Sequence, residues 1–279
     1  MGHGGSSGKS GAGGDSSLSE AGTTGATGCD ALGSAGLDRG TCGVLVGSLV
    51  HRYTFDGAGT IVTDAWGGPS GKVVNSTLTG DGAVALAGHM SDQYVDLPNG
   101  ILSALDSATL ETWLTWSGGF EWQRIFDFGN DLTDVEGAQS TGDTYLFLTP
   151  HLPDSGEGLL RVAYQRGTEY PEVQLDATRA LPAGRLTQVA VTFDAGAGTL
   201  AVYIDGTFEN AKTSDLTPIS FGALADINNW LGRSQYAADP ELGASIEEFR
   251  IYERALSAAE VRASFEAGPN PVFLESAAP

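Results

Sequence analysis

From Val44 onward the chain is cut into short apolar or alternating runs, each bounded by Gly, Asp, Asn or Pro. No other property narrows the fold as much. The runs include Leu49–Phe55, Ala83–Leu86, Gln93–Leu97, Thr109–Trp116 and Arg124–Phe128. They continue through Thr144–Leu148, Leu159–Tyr164, Gln188–Phe193, Leu200–Ile204 and Ser245–Tyr252. All are a few residues long and rich in β-branched and aromatic side chains, which pack well on a pleated surface and poorly on a helix. Their number and spacing predict an all-β sandwich or barrel. Asp194–Thr199 and Asp205-Gly206 carry the turn chemistry that joins consecutive strands into hairpins. No repeat of 20–50 residues is visible, which argues against a propeller or solenoid.

One helix is predicted. Ser257-Ala258-Ala259-Glu260 reads as a capping box, Ala258, Val261 and Phe265 form an apolar stripe, and Gly268-Pro269 ends it. The folded domain is therefore placed at residues 44–268, followed by a tail at 269–279. Residues 1–43 read as a tether, since the first 28 are almost entirely Gly, Ser, Ala and Thr and offer little surface to bury. Cys29 and Cys42 stand at the junction, 13 positions apart. In an exported protein this pair is expected to form a structural disulfide; in a reducing compartment it would be two free thiols.

Fourteen Lys and Arg against 35 Asp and Glu leave a formal charge of −21. Nucleic acid and anionic membrane surfaces both require clustered cations, so neither is an expected partner. No stretch of about 18 apolar residues is present to form a membrane-spanning helix. The start, Met-Gly-His-Gly-Gly, lacks the charged and apolar regions of a signal peptide and reads as a chain beginning behind a removed export signal. A secreted or cell-surface protein is expected, with a monomer as the default state.

Several segments together resemble one family. His51–Gly57, Tyr94–Pro98, Thr109–Leu114, Arg124–Gly129, Val189–Asp194 and Leu200–Gly206 resemble successive landmarks of bacterial laminin G-like, concanavalin A-like domains. The closing blocks Trp230–Ser234 and Ile246–Ser257 are the most specific part of the resemblance. It implies a two-sheet antiparallel jelly roll, one sheet usually concave. It implies no single activity, because the architecture hosts lectins, glucanases and binding modules.

Catalysis is not expected. The Glu-x-Asp-x-x-Glu strand of laminarinase-like relatives is missing; its nearest approach, Glu247-Glu248, puts adjacent residues on opposite faces of a strand. His51, His89 and His151 have no Gly-x-Ser-x-Gly partner. Calcium is the one cofactor weighed, since the superfamily often holds it and it needs six to eight oxygens. Asp56 with Glu247 or Glu248, on strands expected to be neighbours, form one candidate set, and the loop acids Asp131, Asp134 and Glu136 another. For glycan contacts, Trp122, Tyr170 and Tyr236 are candidate stacking platforms, with Asn228, Asn229 and Arg233 as hydroxyl partners. Trp113, Trp116 and Trp230 are assigned to packing. The expected function is a tethered, non-catalytic extracellular module that binds carbohydrate or a protein partner. The alternatives are a divergent polysaccharide hydrolase and a purely structural domain.

Overall fold

The computed structural model describes residues 1–2, 29, 37–153, 158–213 and 221–278. The alternating runs become two antiparallel sheets packed face to face. The first contains β1 (Leu49–Tyr53), β6 (Val84–Ala87), β8 (Ala108–Trp116), β13 (Leu186–Asp194), β14 (Thr199–Ile204), β15 (Thr207–Thr213) and β17 (Gly243–Tyr252). Its strand order is β1-β17-β8-β13-β14-β15, with β6 also pairing along β17. The second contains β3 (Ile61–Val62), β4 (Gly71–Val74), β7 (Tyr94–Leu97), β9 (Phe126–Asp131), β10 (Gly142–Thr149), β11 (Leu159–Arg166), β12 (Val173–Ala180) and β16 (Asn228–Leu231). Its order is β12-β11-β10-β9-β16-β7-β4-β3. β2 (Ala58–Gly59) and β5 (Leu78–Thr79) form a separate ribbon.

The predicted hairpins are present: β13 pairs with β14 and β14 with β15. Asp205 and Gly206 both take positive φ, 52° and 66°, as a tight hairpin turn matched to strand twist demands. Between the sheets lies the main core, including Leu110, Leu114, Val191, Phe249 and Ile251 from one side and Phe126, Phe128, Leu146, Val162 and Tyr164 from the other. Phe126 and Phe128 meet Phe249 edge-on, with ring centroids 6.1 and 5.8 Å apart. In β17 the register slips between Ile246 and Glu248, so that Ile246 and Phe249, three apart, both face this core.

Among the described residues three helices cover the outer face of the seven-stranded sheet: α1 (Arg39–Gly47), α2 (Ala258–Ala267) and α3 (Val272–Glu275). Ser257 and Glu260 form the expected reciprocal cap of α2, with bonds of 2.7 and 3.3 Å. Two expectations are corrected here. The tether does not run to residue 43, because α1 begins at Arg39. Its three glycines, Gly40, Gly43 and Gly47, lower helix propensity and hide it in the sequence. Asp38 caps it by accepting from Thr41 N at 3.0 Å, and Cys42, Leu45 and Val46 are buried. The tail is not a free linker either: Phe273 and Leu274 on α3 are buried in the same layer. Cys29 and Cys42 are joined as a disulfide, Cα to Cα 5.8 Å, which secures the entry to α1. The rest of the expected tether, residues 3–28 and 30–36, lies outside the described residues.

Beneath the helices sits a buried polar network. The Glu248 carboxylate accepts from Arg52 Nε at 2.8 Å and from the Arg250 Nε. Arg250 also donates to Ser264 Oγ at 3.1 Å and to the Gly268 and Pro269 carbonyls at 3.0 and 2.6 Å, closing the C-terminal end of α2. Glu111 accepts from Ser264 and Tyr252 at 2.8 and 3.2 Å, and from Gln188. The Arg250 guanidinium lies 4.3 Å over the Trp113 ring.

Candidate functional site

Among the described residues no helix packs on the outer face of the eight-stranded sheet, and one patch of that face is aromatic. Strand alternation turns Leu146 and Leu148 of β10 into the main core and Tyr145 and Phe147 outward. There the rings of Tyr145 and Phe147 stack at 5.3 Å, and Tyr236, from the loop after β16, meets Tyr145 edge-on at 5.8 Å. Gly142 permits this approach: a Cβ at that position would lie 2.7 Å from the Tyr236 ring and 2.8 Å from that of Tyr145. Trp122 completes the cluster in a left-handed backbone conformation, φ 63°. This is an uncommon state for a bulky residue and is held by surrounding contacts. Its N–H donates to the His151 carbonyl at 3.1 Å, and its own carbonyl accepts from Arg124 Nη1 at 2.6 Å.

These residues, with Glu172 and Asp239, line a cleft of about 290 Å³. A second cleft, of about 540 Å³, adjoins it, sharing Trp122 and Asp239 and adding His89, Phe120, Glu121 and His151. Phe120 is exposed at its edge, its ring 4.3 Å from that of His89.

Arg124 organises the floor. Its guanidinium sits 4.0 Å over the Phe147 ring, donates to Asp239 Oδ2 at 2.7 Å, and places Nε 3.3 Å from Asp127 Oδ2. The last contact is an ion pair without hydrogen-bond alignment, leaving Arg124 Nε and Asp127 Oδ1 without hydrogen-bond partners. Burial pushes the Asp127 carboxyl up to about 7, opposed by Arg124 and reinforced by Asp239. Burial raises Asp239 too, again opposed by Arg124. Tyr145 donates its hydroxyl to Glu172 Oε1 at 2.9 Å and accepts from the Tyr236 hydroxyl at 3.1 Å, so both phenols are fixed in direction. Burial raises both phenols, keeping them protonated as donors.

Of the ligand contacts expected from the sequence, Trp122 and Tyr236 line the cleft together. Tyr170 does not; it sits beyond β11 with the Arg166 guanidinium 3.6 Å over its ring. Asn228 and Asn229 are fully buried, which corrects their role. Asn228 accepts from Gly137 N at 2.8 Å and Asn229 donates to the Pro98 carbonyl at 2.8 Å, so they staple loops to the sheet. Arg233 lies over the Tyr94 and Trp230 rings at 4.5 and 4.4 Å and donates to Gln139 Oε1 at 2.8 Å, bracing the 137–139 loop.

The calcium candidates are scattered. Phe55 takes φ 56° and β6 occupies the next stretch of β17, so Asp56 leaves the sheet as an exposed residue. Glu248 is corrected from a metal ligand to a buried ion-pair partner, because guanidinium groups take its oxygens; Glu247 is half-buried. Asp131 caps its own turn through Thr133 N at 2.9 Å, Asp134 accepts from Asn130 at 2.8 Å, and Glu136 borders a different cleft beside Lys72 and Asp96. Among the described residues no three His, Cys, Asp or Glu side chains gather as a metal site.

Sequence reasoning missed Arg124, Asp127, Tyr145, Phe147, Glu172 and Asp239. A signal existed for three of them. In Asp143–Leu148 and Ile125–Phe128 both parities of the strand carry large or charged groups, so whatever does not face the core must stand on the outer face. Glu172 and Asp239 come from loops, where no periodicity marks a residue.

Residues 89–262 match the family model described as the concanavalin A-like lectin/glucanases superfamily. No curated protein matches the sequence. Among solved structures, domain 4 of an extracellular arabinanase from Geobacillus stearothermophilus, in complex with arabinotriose, is similar at 20% identity and a TM-score of 0.51. That match covers 77% of this chain and 97% of the other. The carbohydrate-binding module of a Ruminococcus gnavus sialidase, bound to α2,3-sialyllactose, is similar at 17% identity and a TM-score of 0.53, covering 65% and 94%. A Trypanosoma rangeli sialidase reaches a TM-score of 0.58 at 19% identity, covering 80% of this chain but 34% of that one. At these identities the likeness is one of fold.

Proposed function

The chain belongs to the concanavalin A-like lectin/glucanase superfamily, and from that premise we propose that it is a non-catalytic extracellular carbohydrate-binding module. The ligand would lie in the cleft of Trp122, Tyr145, Tyr236 and Glu172. The observation that carries this reading is a cleft on the outer sheet face, walled by half-buried Trp122 and Tyr236 over the buried rings of Tyr145 and Phe147 and flanked by a carboxylate and two phenols whose hydroxyls are already oriented. Apolar ring faces stack on the C–H faces of sugars, while fixed polar groups meet their hydroxyls; such mixed, largely pre-formed concavities are typical of small-ligand sites. The two similar modules that carry sugars, arabinotriose in one and sialyllactose in the other, agree with this reading. The disulfide fits an oxidising compartment.

A glycan array probed with the full chain tests it. Binding that falls in Trp122→Ala supports the reading; silence on every glycan, with capture of an extracellular protein instead, replaces it. A hydrolase would need two acids flanking a scissile bond. Asp127 and Asp239 instead share Arg124 and the Ser234 hydroxyl, and Asp127 is fully buried. Release of reducing ends from polysaccharide by the wild type, lost in Glu172→Gln, would favour the hydrolase.

A further inference from the structure

We propose that the cleft accepts uncharged glycans and rejects those carrying sialic or uronic acids, an inference that rests on the carbohydrate-binding reading above. Recognition of a sugar carboxylate calls for a guanidinium or ammonium with donors to spare, ideally as a bidentate fork. The residues lining the cleft include one cation, Arg124, whose side chain is only 2% exposed and already paired with two aspartates. Its Nη1 serves the Trp122 carbonyl, its Nη2 serves Asp239, its Nε faces Asp127, and its flat face is covered by Phe147. Two carboxylates already answer that single positive charge before Glu172 is counted. The adjoining cleft adds Glu121 and no Lys or Arg.

Neighbouring arginines do not redress the balance. Arg161 is held by Asp176 through paired contacts of 2.5 and 2.8 Å. Arg166 lies over Tyr170, and Arg233 over Tyr94 and Trp230. What the cleft offers a ligand is carboxylate oxygen, an acceptor for which sugar hydroxyls are natural donors. An anionic sugar would bring a second charge against Glu172 while Arg124 is already paired with Asp127 and Asp239, and the net −21 of the whole chain adds a repulsive field.

The experiment is a broad array of neutral oligosaccharides and their sialylated or uronic-acid counterparts, probed with the full chain at about 20 and 300 mM NaCl. Bound glycans are expected to be uncharged, with an acidic counterpart of any hit weaker by about tenfold or more at low salt and the gap narrowing at high salt. Glu172→Gln is expected to raise the acidic-to-neutral binding ratio about tenfold, and Glu121→Gln to raise it less. An acidic glycan bound as tightly as its neutral counterpart, or a ratio unmoved by Glu172→Gln, overturns the charge inference and leaves carbohydrate binding intact. Binding to no glycan of either class overturns both.

Discussion

Trp122 and Asp127 show how single residues divide the work of the cleft. Trp122 is half-buried and carries a strained backbone, yet it lines both clefts. Trp122→Ala is therefore expected to weaken binding to the array's best glycan by about 2 kcal/mol, roughly thirtyfold, as for a central aromatic anchor. Calorimetry on wild type and variant measures it, and a loss under twofold would place the ligand elsewhere. Asp127 governs a pH response. Its folded-state pKa of about 7 lies above the ~3.9 of an unfolded aspartate, so the native state holds the proton longer. The resulting stability is complete below about pH 4 and is lost as pH rises through 7. Melting temperature should fall more steeply between pH 4.5 and 7.5 in the wild type than in Asp127→Asn, whatever the absolute stability of the variant. Equal slopes would remove Asp127 as the cause.

At the scale of elements, the seven-stranded sheet and its helices are joined by charge as much as by apolar contact. Arg250 is fully buried and answers Glu248, Glu111 and the end of α2 together. Truncating it leaves buried Glu111 without a counter-charge and Glu248 with Arg52 alone, so Arg250→Ala is expected to cost about 3–5 kcal/mol in urea unfolding. A cost under 1 kcal/mol would mean that water replaces the guanidinium. The Cys29–Cys42 bridge closes a short loop across the start of α1. Cys29→Ser with Cys42→Ser should cost about 3 kcal/mol by loop entropy. That loss is expected to be matched in wild type under reductant and absent when the double variant is reduced. The pattern of strands, the two hairpins and the α2 cap were all legible in local sequence, since each depends on neighbours within a few positions. α1 was not, because its glycines argue against a helix and only the bridge, the Asp38 cap and the sheet beneath overcome that preference.

Across the whole molecule the dominant property is charge of one sign. At −21 the folded chain repels itself, and screening should relieve this. Raising NaCl from about 20 to 500 mM is expected to increase the melting temperature by a few degrees, measurable by scanning fluorimetry. A flat response would show that local ion pairs already balance the field. The same charge shapes what can approach the outer face of the eight-stranded sheet, where the cleft offers acceptors and its one lining cation is already paired.

Alternating apolar runs, turn dipeptides and a capping box sufficed to predict two antiparallel layers and a closing helix, because period-two burial and local hydrogen bonding are written into adjacent residues. The cleft was not readable in this way. Trp122 and Tyr236 stood out as loop aromatics, but Tyr145 and Phe147 looked like any strand interior until the fold set their rings on the outer face of the eight-stranded sheet. Asn228, Asn229 and Glu248 looked like ligand groups until packing closed over them. Which side of a strand is buried, and which loops converge on it, follows from contacts between residues 91 to 196 positions apart, such as Asn228 with Gly137 and Arg52 with Glu248. Only the folded chain brings those partners together.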